Sequence, residues 1–163
     1  ILHRLDTPTS GLVLAARNKE TFLSLSALQE KDEIKKVYMA QVSQTRKIDE
    51  GFEAFPFIVK GKNLQIISSF RSFGPKGASV RPLWEKRKGD ERIYRTHVEY
   101  VSEERVKCTI TRGFRHQIRS HLAWSGHPIV GDERYGGKEN DFLLLEAVSI
   151  SFPYKKGVLE ISI

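Results

Sequence analysis

The sequence is poor in sulfur-containing side chains. Its 163 residues include a single cysteine, Cys108. An intrachain disulfide and a cysteine-rich metal site are therefore both excluded. Cys108 lies in the alternating run 106–110, which predicts a small, buried side chain in a strand. This cysteine usage fits a reducing, cytoplasmic setting.

Long hydrophobic runs and targeting signals are also missing. No stretch approaches the roughly 20 apolar residues that a transmembrane helix needs, and no signal sequence is visible. We therefore expect no membrane partner. The chain begins with Ile1 rather than Met, in the middle of a residue pattern, so we expect it to be a piece of a longer protein.

The composition is that of one folded domain, residues 1–163, with 39% apolar and 29% charged residues. Twenty-seven Lys and Arg residues outnumber 20 Asp and Glu residues, which gives a net charge of +7. This excess favours a nucleic-acid partner, because each neutralised phosphate releases a counterion. A surface of solvated basic residues is the alternative explanation.

The hydrophobic pattern predicts an α+β fold with a mainly antiparallel sheet. Strands are expected at residues 36–43, 64–70, 79–86, 94–102, 105–111, 142–152 and 158–163. Helices are expected at 19–31, capped by Asn18, and at 114–125. Residues 44–61 read as a loop with a short strand, and residues 71–77 as a loop.

Asp6 is the first candidate for chemistry. It lies at a predicted strand end, with Arg4 on one side and the hydroxyls of Thr7, Thr9 and Ser10 on the other. An Asp in this position can project its carboxylate into a cleft, where a neighbouring Arg favours the charged form. A turn-forming Asp that bonds its own backbone is the alternative, and local residues alone favour it.

Residues 112–123, RGFRHQIRSHLA, form the second candidate. On a helix, Arg115 and Arg119 share a face, and Arg119 could grip a carboxylate or phosphate with two hydrogen bonds. A solvated basic face over an apolar stripe is the alternative. His116 and His121 diverge on a helix and lack an acidic partner, so a zinc site is not expected.

Two further segments are ambiguous. Tyr38, in a predicted strand, is either half-buried packing or a ring for a base with a hydroxyl for a proton. Residues 126–137 contain Gly and Pro at positions that shape a loop, but lack the spacing of a phosphate-binding loop. We interpret them as a structural connector.

Three segments, in this order, resemble the signature segments of the RluA-type pseudouridine synthases: HRLDTPTSGLVLAA, KKVYMAQV and GFRHQIRSHLAWSGHPIVGDERYGG. The resemblance extends from Ile1 almost to the C-terminus. It implies a pseudouridine synthase fold, with a mixed, mainly antiparallel sheet, flanking helices and a central RNA-binding cleft. It also implies conversion of uridine to pseudouridine in structured RNA, with rRNA favoured over tRNA, by a monomer that uses no metal and no organic cofactor.

The resemblance assigns catalytic roles to three residues. Asp6 matches the nucleophilic aspartate, which acts on a uridine flipped out of the RNA. Tyr38 matches a tyrosine that stacks on the uracil and assists proton removal. Arg119 matches the arginine that pairs with the aspartate.

The resemblance and the charge pattern also imply RNA contacts. The residues expected to shape the site or bind the substrate are His3, Arg4, Thr9, Ser10, Gly11, Arg115, His116 and Gln117. Charge alone suggests that residues 71–95 grip phosphates, through Lys76, Arg81, Lys86, Arg87, Lys88 and Arg92.

The chain departs from the family pattern at two places within it. Phe114 and Arg115 stand where Arg-Thr is common, and Glu146 stands at an expected cleft-adjacent position where His is common. Two other functions stay open. One is an RNA-binding module that keeps the fold without chemistry, and the other is a hydrolase that pairs Asp6 with Asp132 or Glu133.

Overall fold

The computed structural model describes residues 1–43, 57–60, 63–83 and 92–163. The strands of these residues are β1 (Ser10–Gly11), β2 (Lys35–Gln41), β3 (Phe57–Lys60), β4 (Asn63–Phe73), β5 (Ser79–Leu83), β6 (Tyr94–Tyr100), β7 (Arg105–Ile110), β8 (Leu145–Tyr154) and β9 (Gly157–Ser162). The helices are α1 (Lys19–Glu30) and α2 (Gln117–Trp124), with short 3₁₀ turns at Pro75–Gly77 and Glu133–Tyr135.

The strands form one mixed sheet in the order β1-β8-β2-β7-β6-β4-β3, with β9 paired to β8 and β5 paired to β4. Only the pairing of β1 with β8 is parallel among the described strands. The predicted α+β class and mainly antiparallel sheet are confirmed. Because β2 is a central strand, side chains that it directs to one face are enclosed by neighbours on both sides.

The main core lies between the sheet and α2. Alternate residues of β7, including Val106 and Cys108, are fully buried against Ile118 and Leu122 of α2. The two-residue period of the strand and the four-residue spacing on the helix bring these side chains to one interface. The predicted burial of Cys108 is confirmed, and burial raises the pKa of its thiol to about 12.

Helix α1 begins where the sequence predicts. The Asn18 side chain accepts a hydrogen bond from the Thr21 N–H at 2.8 Å, which satisfies one of the free amides of the first turn. Leu25 on this helix packs into a smaller apolar cluster with Ile34 and Phe152. Neither described helix is long and apolar enough to cross a membrane.

Helix α2 begins three residues later than predicted, at Gln117 rather than at residue 114. His116 has a left-handed backbone with φ of 55°, and the Gln117 side chain accepts a hydrogen bond from the Phe114 N–H at 2.9 Å. This local arrangement replaces the first helical turn. Arg115 therefore precedes the helix, and the expectation that it shares a helical face with Arg119 is wrong.

Several strand boundaries also differ from the prediction, and two of them differ by three residues. Strand β4 continues to Phe73 because its last residues pair with β5, so residues 71–73 are strand rather than loop. Strand β8 begins at Leu145 rather than at residue 142. The predictions for residues 44–56 and 84–86 lie outside the described residues.

His121 is a buried polar residue on α2, with no exposed surface. Its Nε2 lies 2.8 Å from the Ser68 Oγ and its Nδ1 lies 2.8 Å from the Thr96 Oγ1. The ring also stacks on Phe70, with centroids 4.8 Å apart. Burial lowers the pKa of His121 to about 3, so the ring is neutral at physiological pH and ties α2 to β4 and β6.

We predict that acid destabilises the fold partly through His121. Between about pH 6.5 and pH 3 the His121 ring is protonated in the unfolded chain but neutral in the folded chain. The free energy of unfolding therefore falls as the pH falls through this range. His121→Gln should reduce that fall by about 1 kcal/mol per pH unit, measured by urea unfolding between these limits. The exposed His97→Gln is the control, and an equal slope in both variants would contradict the assignment.

Candidate active site

A cleft of about 540 Å³ opens beside α2, at one face of the central strands. Most of its lining comes from the N-terminal segment, β2, and the stretch that leads into and begins α2, and single residues of α1, β7 and β8 complete it. The polar side chains in its wall are His3, Arg4, Asp6, Thr9, Gln29, Lys36, Tyr38, Arg115, Gln117 and Arg119. The three predicted catalytic residues thus line one cleft.

Asp6 is held in a tight turn that directs its carboxylate away from its own backbone. The Thr9 N–H donates to the Asp6 main-chain carbonyl at 2.8 Å. The turn leads into β1, where Gly11 has φ of 109° and any β-carbon would collide with the Ala147 backbone. Among the described residues the Asp6 carboxylate faces Arg119 of α2 and lies 4.0 Å from the His116 ring at the N-cap, and it makes no hydrogen bond to its own turn. The turn-forming alternative for this side chain is therefore wrong.

Arg119 lies between two carboxylates. Its Nε and Nη2 donate to the two oxygens of Asp132 at 2.7 and 2.8 Å. Its Nη1 lies 3.6 Å from the Asp6 Oδ2. The Arg119 side chain is only 6% exposed and that of Asp132 is fully buried. A bidentate pair fixes the plane of the guanidinium, which leaves the remaining nitrogen directed at Asp6.

The loop that carries Asp132 is more than a connector. Tyr135 in its 3₁₀ turn places its ring 5.3 Å from the Arg119 guanidinium. The Tyr135 hydroxyl accepts a hydrogen bond from the Val80 N–H at 2.9 Å and lies 3.0 Å from the His116 Nδ1. Residues 126–137 therefore orient Arg119 and His116, a role that their sequence did not reveal.

Two histidines, His3 in the cleft wall and His116 beside Asp6, are shifted towards their neutral forms. Burial lowers the pKa of His116, and although Asp6 opposes this shift, the Arg119 charge adds to it. Its Nε2 lies 4.0 Å from the Asp6 Oδ1. Burial and the nearby Lys36 charge lower the pKa of His3 to about 4, and its Nε2 accepts a hydrogen bond from the Leu14 N–H at 3.1 Å.

Tyr38 forms part of the cleft floor on β2, with 7% of its surface exposed. Burial, reinforced by the Asp6 charge, raises the pKa of its hydroxyl to about 12. The hydroxyl is therefore protonated at neutral pH and can donate a hydrogen bond. A phenolate that removes protons is disfavoured in the free protein.

Comparison with known proteins identifies the family. The family model of RNA pseudouridylate synthases matches residues 1–124. The chain belongs to this family. The ribosomal large subunit pseudouridine synthase C of Escherichia coli K12 is 29% identical over 147 residues, which cover 90% of this chain and 42% of that protein.

Further relatives confirm the RluA-type character. The dual-specificity RNA pseudouridine synthase RluA of Vibrio parahaemolyticus is 31% identical over 172 residues, covering 96% of this chain and 61% of that protein. The chain thus spans less than two thirds of either of these curated relatives. The structure of human RNA pseudouridylate synthase domain containing 1 is 22% identical with a TM-score of 0.76, and covers 99% of this chain and 67% of that one. That likeness confirms the predicted pseudouridine synthase fold.

Only some of the residues predicted to contact RNA line the cleft. His3, Arg4 and Thr9 line the cleft together with Asp6 and Tyr38. Ser10 and Gly11 instead form β1 and pair with β8, outside the cleft wall. His116 is held beside Asp6.

Gln117 and Arg115 line the cleft but also bind protein groups. The Gln117 Nε2 donates to the Arg95 carbonyl at 3.0 Å. The Arg115 Nη2 donates to the Gly77 carbonyl at 2.6 Å, which ties the β4–β5 turn to the entry of α2. Because this bond occupies only part of an exposed guanidinium, Arg115 keeps donors for a phosphate.

Part of the basic segment 71–95 lies among the described residues. Arg81 lies on β5, over the Phe73 ring at 5.6 Å, and Lys76 is exposed in the turn. Lys86, Arg87 and Lys88 lie outside the described residues, so their predicted phosphate contacts stay a prediction. Arg92 is exposed at the start of the next described stretch.

Two expectations are corrected at the cleft. Glu146 is exposed on β8, and its buried neighbour Leu145 lines the cleft in its place. Asp132 has both oxygens bound by Arg119 and no exposed surface, whereas Glu133 is exposed outside the cleft wall. Neither can serve as a second acid beside Asp6, so the carboxylate-pair hydrolase is excluded.

We predict that Asp132→Asn destabilises the protein by about 3–5 kcal/mol, because it leaves the buried Arg119 charge without its strongest partner. Urea unfolding measures the loss. Glu133→Gln, an exposed neighbour with the same change in charge, should stay within about 0.5 kcal/mol of the wild type. Equal stabilities of the two variants would show that the Arg119–Asp132 pair does not hold the site together.

Proposed function

We propose that this protein converts specific uridines to pseudouridine in structured RNA, and that residues 1–163 are its catalytic domain. The observation that carries the proposal is the Asp6 carboxylate, which faces the cleft within 3.6 Å of Arg119. Both residues occupy the matching positions of the family's signature segments. We expect a cytoplasmic, monomeric enzyme that uses no metal and no organic cofactor.

The proposed substrate is ribosomal RNA in the first place. The relative from Escherichia coli is named for the large ribosomal subunit, and the excess of basic residues supports an RNA partner. Transfer RNA is the second substrate class to test. At the cleft mouth, the exposed Arg4 and Arg115 are available to bind phosphates on either RNA.

In the proposed mechanism, a uridine is flipped out of the RNA into the cleft, because a stacked base is inaccessible. Asp6 acts on this nucleotide by attack on the ribose, by attack on the base, or by assisting an elimination. In each route the bond from N1 of the uracil to the ribose breaks, the uracil turns, and a bond from C5 forms. Arg119, oriented by Asp132, keeps the carboxylate directed at the substrate.

Tyr38 is proposed to bind the base. Its ring lies on the cleft floor beside Asp6 and offers a flat apolar surface for stacking. Since the pKa of its hydroxyl is raised to about 12, the group enters the reaction as a hydrogen-bond donor. Any proton that it accepts must come after it has first donated its own.

Asp6→Asn tests the proposed function. We expect the variant to abolish pseudouridine formation while folding and RNA binding persist, because the side chain keeps its size and loses its charge. Ribosomal RNA from cells that lack the gene is the substrate, and pseudouridine is measured by mass spectrometry. The exposed Asp141→Asn is the control. If wild-type protein binds the RNA but forms no pseudouridine, the RNA-binding module becomes the better account.

Two substitutions separate the ring of Tyr38 from its hydroxyl. Tyr38→Phe should keep RNA affinity, whereas Tyr38→Leu should weaken it by about 1–3 kcal/mol, the usual loss for one stacked base. Fluorescence anisotropy with a short RNA that contains the target uridine measures the affinity of both variants. Equal affinities of the two variants would contradict the stacking role.

A further inference from the structure

Lys36 is a buried cation in the cleft that the predicted catalytic set leaves out. It is 3% exposed on β2, where it pairs with Ile110 of β7 and Ile150 of β8. Lysine is among the residues that are least often buried without a partner. Its position in the centre of the sheet therefore calls for an explanation.

The strand places Lys36 beside Tyr38. The burial pattern of β2 puts both residues on the face that looks into the cleft. Side chains two residues apart on a strand are separated by about 7 Å, close to the width of a pyrimidine with its exocyclic oxygens. A base that stacks on Tyr38 therefore brings one edge within reach of Lys36.

The Lys36 ammonium has no hydrogen bond and no ion pair with any residue that the structure describes. Asp32, the acid whose charge acts on Lys36, is bound by the Arg112 Nε at 2.9 Å. Burial lowers the pKa of Lys36, and Asp32 only partly opposes this shift. The missing side chain of Gly113 leaves the Nζ uncovered, since a β-carbon there would lie 3.9 Å from it.

Other polar groups around the cleft also lack protein partners. The Thr9 Oγ1 and the Gln29 Oε1 are buried without a hydrogen bond, and both residues line the same cleft as Lys36. A ligand with both donors and acceptors would satisfy such a set. A uracil ring offers this combination, with one N–H group between two carbonyl oxygens.

On the basis of the proposed function, we propose that Lys36 donates a hydrogen bond to a carbonyl oxygen of the flipped uracil and stabilises the negative charge of the detached base. When the bond between N1 and the ribose breaks, its electron pair stays on the uracil and spreads to the carbonyl oxygens. C5 of the turned uracil then bonds to the ribose, the C5 proton is released, and N1 gains a proton. The net reaction remains an isomerisation.

A backbone phosphate is a weaker candidate for the partner of Lys36. Phosphates stay at the mouth of the cleft, where the exposed Arg4 and Arg115 lie, whereas Lys36 is in its floor. A fixed cation in a site that excludes water is most effective where charge develops during the reaction. This favours the base over the phosphate as the group that Lys36 binds.

Lys36→Met tests the proposal in the intact protein, and the exposed neighbour Lys35→Met is the matched control for charge. We expect the rate constant of pseudouridine formation under single-turnover conditions to fall by about 100-fold or more in Lys36→Met. The dissociation constant for RNA should change far less than this rate constant, because the main effect is on charge that develops during the reaction. Lys35→Met should match the wild type in both.

Two further measurements exclude a structural role. Because Lys36→Met removes a buried charge without a counter-ion, the midpoint of urea unfolding should stay the same or rise. With 5-fluorouridine in the RNA there is no C5 proton to release and pseudouridine cannot form, so the rate at which 5-fluorouridine is consumed is measured instead. The fluorine stabilises the detached base, so the loss of rate in Lys36→Met should be smaller than with uridine.

Several outcomes would overturn the inference. If Lys36→Met is less stable than the wild type, the residue has a structural role. If the rate falls equally with uridine and with 5-fluorouridine, Lys36 does not act on the negative charge of the base. If Lys36→Met binds RNA more weakly, and the dependence of its affinity on salt concentration falls by about one released counterion, then Lys36 binds a phosphate. An active wild type with an equally active Lys36→Met refutes this inference alone, whereas a wild type that forms no pseudouridine refutes the proposed function as well.

Discussion

Arg119 shares its guanidinium between two carboxylates that come from distant parts of the chain. Asp132 takes two of its nitrogens at 2.7 and 2.8 Å, and Asp6 faces the third at 3.6 Å. The contact with Asp132 is fully buried, so water cannot replace it. The contact with Asp6 opens to the cleft, which leaves that carboxylate free to meet a substrate. The rest of the cleft is arranged around this difference.

The surrounding fold holds Arg119 in place from three sides. Helix α2 supplies the residue, the Tyr135 ring lies against the guanidinium, and β1 fixes the turn of Asp6 through a glycine that no other residue could replace. Burial lowers the pKa of His116 and raises that of Tyr38, and both shifts favour the neutral side chain. Besides the exposed Arg4 and Arg115, the charged side chains of the cleft are Asp6, Arg119 and Lys36, which pairs with no described residue. This distribution suits a reaction that moves negative charge onto a base.

Much of this arrangement could be predicted from the sequence, for identifiable reasons. Alternating apolar residues indicated the strands, and Asn18 marked the start of α1. The catalytic trio came from the resemblance to a family, since local physics favoured an ordinary turn at Asp6. The late start of α2 could not be predicted, because it depends on the left-handed backbone of His116 and on a side-chain bond to Phe114. The burial of Lys36 could not be predicted either, since lysine usually indicates an exposed position.

The role of Asp132 could not be predicted, because Asp132 lies 13 positions after Arg119, beyond the end of α2, and only the tertiary structure brings the two together. The most direct measurement is the single-turnover rate of Asp132→Asn on its RNA, under conditions in which the variant is fully folded. If Asp132 aims Arg119 at Asp6, the rate falls by about 100-fold, as for a misplaced catalytic group, while RNA affinity stays the same. A folded Asp132→Asn protein that isomerises uridine at the wild-type rate would contradict the account.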